Sequence, residues 1–135
     1  MKILSQKDQD LCTYTGVFGC LISAACTIQH LMLYNVFDYA LTMFMLFIFL
    51  DNIFSFGMLA LQKWYAPIWL LICAVMNLLT GTMALRGPLF SVLVILHFIY
   101  TATVVVVLYV DRIPSRLRAK ELAQQAERNE WAGKI

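Results

Sequence analysis

Charge is scarce in this sequence. Asp, Glu, Lys and Arg together make up 13% of its 135 residues, while 61% are hydrophobic. A soluble domain carries roughly a quarter of its residues as charges, so a single water-exposed globule is excluded. Phosphate-cradling glycine loops, HExxH and the GxSxG nucleophile turn are missing too, and with them the routes to chemistry most visible in a sequence. No Asn-x-Ser/Thr acceptor occurs, and the four cysteines show neither zinc-site nor redox-pair spacing. These absences point to a non-catalytic protein with no metal, no cofactor and no nucleic-acid partner.

What is present is apolar and long. Four blocks run from Leu11 to Leu33, Tyr39 to Leu61, Trp64 to Leu85 and Leu89 to Val110. As helices rising about 1.5 Å per residue, each gives a rod of about 33 Å, enough for a hydrocarbon core of about 30 Å. Lipid offers backbone N–H and C=O groups no partner, so each block must be a helix or a strand of a closed barrel. Runs such as MFMLFIFL and VLVILHFIY lack the alternation of a barrel strand. The fold class expected is therefore all-α: an integral membrane four-helix bundle over 1–110, with short loops, followed by a charged cytoplasmic helical tail over 111–135. The first block is too long for a signal core, and MKILSQKDQD ahead of it balances two bases with two acids, so it is read as a retained helix.

Orientation follows from the short flanks. Lys2, Lys7, Lys63, Arg112, Arg116, Arg118, Lys120, Arg128 and Lys134 fall on one side of the four blocks and Arg86 on the other. The positive-inside rule then places both termini in the cytoplasm or the equivalent compartment of an organelle. Cys20, Cys26 and Cys73 lie within blocks and Cys12 at a boundary, so no disulfide is expected. Connections at Tyr34 to Asp38, Gln62–Lys63 and Arg86 to Pro88 are too short for anything but antiparallel neighbours.

Packing faces are legible as small residues. Gly16, Gly19, Cys20, Ser23, Thr27 and His30 recur at three- and four-residue steps in the first block, and Cys73, Ala74, Asn77, Thr80, Gly81 and Ala84 do so in the third. Such faces let helix backbones approach, either within one bundle or between molecules. The second block instead carries Phe44, Phe47, Phe49, Phe54 and Phe56 around most of its circumference. In the tail, Arg112, Arg116 and Lys120 share one helical face, while Leu122, Ala123 and Ala126 form a weak apolar stripe. With Arg118, these bases are candidates for lipid-headgroup contact or for docking a neighbouring subunit.

One carboxylate stands out. Asp51 lies near the middle of the second block, where an ionisable group is costly and a functional hypothesis by default. Ser55 shares its face, and Asn52 is rotated by about 100 degrees. Counted from the end opposite the basic flanks, Asn77 and His97 lie about 12 Å deep and Asp51 about 18 Å, so Asp51, Asn52, Ser55, Asn77 and His97 form a candidate intramembrane polar cluster. It serves either as packing glue or as a site that changes protonation during transport. His97 alone is read as bonding Thr101 or a carbonyl one turn away, and His30 as facing water at the far interface. Four spans with a membrane carboxylate resemble the small multidrug-resistance exporters in topology alone, since the essential acid of that family lies in its first helix and the first block here has none.

Three functions remain in play. The first is an accessory or scaffolding subunit of a larger membrane complex, with lipids and other membrane subunits as partners. The second is a small homo-oligomeric proton-coupled transporter or channel using Asp51, and the third a lipid-binding or membrane-shaping protein.

Overall fold

The computed structural model describes residues 4–33, 39–84 and 92–134, with side chains at 33, 39–42 and 81–84 excepted. The expected loops at Tyr34 to Asp38 and Arg86 to Pro88 lie outside the described residues, as do the packing side chains of Gly81 and Ala84. Five helices and no strand occur among the described residues: α1 (Gln6–Leu33), α2 (Tyr39–Ala60), α3 (Ala66–Ala84), α4 (Val92–Val110) and α5 (Ile113–Gly133). Among the described residues, three stretches are long and apolar enough to cross a membrane, Gln6–Met32, Met43–Ala60 and Val92–Val110. The apolar stretch of α3 described with its side chains, Ala66–Thr80, is shorter.

Local chemistry sets the helix ends. α1 starts five residues before the apolar block because Ser5 caps it, its Oγ accepting the Asp8 backbone N–H at 3.1 Å, and Asp8 sits where the helix dipole favours an acid. Trp64 and Tyr65, expected inside the third helix, instead belong to the turn that precedes Ala66. α2 ends in a Schellman turn, with Lys63 N–H donating to Met58 C=O at 3.0 Å and Gln62 at φ 59°. Arg112 takes the same left-handed conformation, φ 56°, between α4 and α5. Neither turn uses the glycine that would adopt it without strain, so contacts made by the helices must hold both.

α1 packs along α2, α2 on α3, α3 on α4, and α4 returns to α1, while α5 rests on α4. Partners run in opposite senses along the seams: Tyr100 bonds Thr15, His97 Ser23 and Cys26 Leu93, and Asn52 bonds Asn77 while Ser55 meets Cys73. Helices α1 and α4, and α2 and α3, are therefore antiparallel. The closest seam is α1–α2. A Cβ on Gly16 would lie 2.5 Å from Ala60 N and 2.7 Å from Phe56 O, and one on Gly19 would run into the Phe56 ring. The backbones touch there only because both side chains are absent. Of the five phenylalanines that the sequence sets around α2, Phe49 and Phe56 are buried, whereas Phe44, Phe47 and Phe54 are exposed.

Two apolar clusters sit at different heights. One, at the α5 end, joins Cys12, Phe56, Leu59, Leu70, Val104 and Leu108 to Ile113 and Leu117. The other gathers Cys26, Met45, Phe49 and Val94. Between them lies a layer of buried polar side chains.

Candidate functional site

That layer is built from pairs that bridge helices. Asn52 and Asn77 exchange amide hydrogen bonds, each Nδ2 donating to the other's Oδ1 at 3.1 Å, and Asn52 Nδ2 also donates to Ile48 C=O at 2.8 Å. Both residues are buried. A reciprocal pair of this kind uses donors and acceptors on both sides, which lipid could not supply. On the opposite seam Ser23 Oγ lies 2.6 Å from His97 Nε2. The His97 ring is buried and meets the rings of Phe49 and Phe98 in T-shaped contacts, and its Nδ1 is the one fully buried side-chain polar atom without a partner among the described residues.

Asp51 belongs to neither pair. Its Oδ2 accepts from the Cys73 thiol at 3.3 Å, Cys73 Sγ lies 3.2 Å from Ser55 Oγ, and Ser55 donates to the Asp51 carbonyl at 2.9 Å. The side chain is half-buried, whereas Asn52 beside it is fully enclosed. The expected meeting of Asp51 with Asn77 and His97 is thus replaced by three separate ties. The cause is angular: a step of about 100 degrees puts Asn52 toward α3 and the interior and leaves Asp51 on the rim of the α2–α3 seam. Two partners escaped the sequence reading, Cys73 for Asp51 and Ser23 for His97. Both lie on the small-residue faces, where matching depth from the helix ends could have found them.

Other expectations also shift. Thr101 donates to the His97 backbone carbonyl at 2.9 Å, not to its ring. His30 is buried, 5.8 Å from Phe49 between ring centroids, and does not face water. Among the proposed packing residues, Gly16, Gly19 and Ser23 are enclosed within the chain, Cys20 donates to Ile53 C=O at 3.4 Å, and Ala74 lies against the α5-end cluster.

The basic residues of α5 are largely occupied. Arg116 Nη1 donates to Asp8 Oδ2 at 2.7 Å, Lys120 Nζ to Gln62 Oε1 at 2.7 Å, and the Arg118 guanidinium lies 4.4 Å from the Trp64 ring centroid. Only Arg112 of the four has no such partner among the described residues. The apolar contact of α5 comes from Ile113 and Leu117, both buried, and the Leu122, Ala123 and Ala126 stripe is exposed. Because α5 meets α1 through Arg116 and the α2–α3 turn through Lys120, it turns across the end of the other helices. An open cleft of about 770 Å³ between the α1 start and the α4–α5 turn is lined by Lys7, Arg112 and Arg116 but equally by Asp8, Asp10 and Asp111. Its charges cancel, so it does not favour an anion.

Among the described residues no three His, Cys, Asp or Glu side chains gather as metal ligands. The four cysteines are free thiols. No protein-family model, curated protein or solved structure matches the chain.

Proposed function

We propose that the chain is a non-catalytic, multi-pass integral membrane protein that serves as an accessory or scaffolding subunit of a larger membrane assembly. In this reading α1 to α4 all cross the bilayer as a four-helix bundle, and α5 lies at the cytoplasmic surface with both termini. Support for the sidedness comes from the flanks that carry nine of the ten bases: the α1 start, the α2–α3 turn and α5 meet through Arg116–Asp8 and Lys120–Gln62. One end of the molecule therefore collects the cationic segments, as the positive-inside rule expects of a cytoplasmic face.

The observation that carries the scaffold reading is the use made of the buried polar side chains. Asn52 and Asn77 tie α2 to α3, and Ser23 and His97 tie α1 to α4. They act as interhelical glue on two different seams, in place of lining one continuous path for a proton or ion. A rigid, internally tied bundle with an apolar exterior suits a part that others assemble around. The test is the native mass and protein composition of the particle extracted in mild detergent. Several different stable partners are the expected outcome. A ring of identical copies would support the transporter reading instead, and a lone chain with bound lipid the membrane-shaping one.

A further inference from the structure

Asp51 is only partly satisfied by its own chain. Oδ2 accepts from Cys73, a weak thiol donor. Oδ1 meets no donor among the described residues, and the Asp51 side chain is only partly buried, so the carboxyl group is not fully enclosed by its own chain. Phe47 and Phe54, four residues before and three after, are 68% and 50% exposed on the same side of α2. Nine residues separate Asp51 from the end of α2 at Ala60, about 14 Å along the axis. Under the proposed topology that is near mid-bilayer, where lipid offers a carboxyl group no donor and no counter-charge.

A second copy of this chain could not supply the missing charge. None of the four apolar blocks contains a lysine or arginine, and His30 and His97 are both buried. A partly exposed acid with one unpaired oxygen, flanked along the helix by two exposed aromatic side chains, is complementary to a cation that meets the carboxylate and packs on a ring.

We infer that Asp51, with Phe47 and Phe54, is the docking point for a membrane-spanning helix of a different protein that carries a lysine or arginine at mid-bilayer depth. This deepens the subunit reading and rests on it. It also explains why the polar residue at the rim is an acid while its enclosed neighbour is an amide.

The experiment places the full-length chain in phosphatidylcholine vesicles with a synthetic helix of about 20 leucines and alanines bearing one central lysine, or leucine at that position, and follows association by energy transfer. The lysine helix should bind about tenfold more tightly than the leucine helix. Asp51→Asn should erase the difference and Asp51→Glu retain it, which separates lost charge from lost folding. Equal binding of the two helices, or a preference that survives Asp51→Asn, overturns the inference. So does self-association that depends on Asp51 without any added helix. The native particle distinguishes the two levels: partners present without a lysine preference leave the subunit reading standing and remove the Asp51 docking point. A particle made of this chain alone removes the subunit reading.

Discussion

The α1–α2 seam and the α2–α3 seam solve the same problem in opposite ways. In the proposed bilayer-spanning bundle both seams would be surrounded by lipid tails as apolar as leucine, so neither could rely on hydrophobicity to prefer a neighbouring helix. The first uses absence: Gly16 and Gly19 bring the α1 backbone against Ala60 and the Phe56 ring, and the gain is dispersion over a close contact. The second uses polarity, with the Asn52–Asn77 pair and the Asp51–Cys73–Ser55 group set into an apolar surround. A glycine seam is intolerant of added volume and indifferent to polarity. A polar seam should tolerate volume-matched apolar replacement, provided that both partners change.

The largest effect is expected from Gly16→Leu. Its Cβ alone would meet backbone atoms of Ala60 and Phe56 at 2.5 to 2.8 Å, and backbone cannot swing aside, so the helices must separate. The cost should be about 3 kcal/mol, toward the upper end for overpacking, read from unfolding titrated with a denaturing detergent in mixed micelles. Gly57→Ala is the control. Its Cβ would meet only Cys20 Sγ at 3.8 Å, so the change should be neutral or stabilising by up to about 1 kcal/mol from helix propensity. Equal losses for the two would break the glycine-seam account.

On the polar seam, Asn77→Leu leaves the buried Asn52 amide without its reciprocal partner, a loss of about 2 kcal/mol. The double replacement Asn52→Leu with Asn77→Leu should recover most of it, because no orphaned polar group remains. If the double variant is worse than the single by the full additive amount, the pair is not coupled and the contrast between seams fails. Ser23→Ala should cost less, about 1 kcal/mol, in keeping with measured interhelical hydrogen bonds in membranes. Replacing His97 as well should remove that difference.

How much of this was readable beforehand depends on what each feature requires. The helices were legible because hydropathy is a property of consecutive residues, and Gly16 and Gly19 were legible as a close-packing face because small side chains repeat at helical steps. The partition of Asp51 and Asn52 was not. Both are polar and adjacent, and only the direction in which α2 presents each one decides which is enclosed. The same limit hid the docked face of α5: Ile113 and Leu117 stand among Arg112, Arg116 and Lys120, so the bases drew attention to headgroups while the two aliphatics made the contact. Gln62 and Arg112 gave no signal of left-handed turns, because the usual glycine is missing from both. Ser5 and Asp8 did give a capping signal, three residues apart, but it lay outside the apolar block and so outside the expected helix.

The smallest effect belongs to the contact that fastens α5 to α1. Arg116 and Asp8 meet at 2.7 Å with side-chain exposures of 42% and 13%, so water screens the pair on one side, and exposed pairs contribute about 0 to 1 kcal/mol. A double-mutant cycle with Asp8→Asn and Arg116→Gln should give a coupling of about 0.5 kcal/mol that shrinks as salt is raised from about 0.05 to 0.5 M. Leu117→Ala, which hollows the buried side of the same helix, should cost about 2 kcal/mol or more and should not respond to salt. The two measurements divide the docking of α5 into an electrostatic and an apolar part. A coupling larger than the Leu117 loss would mean that charge, not packing, holds α5 in place, and α5 would then be released by ionic strength alone.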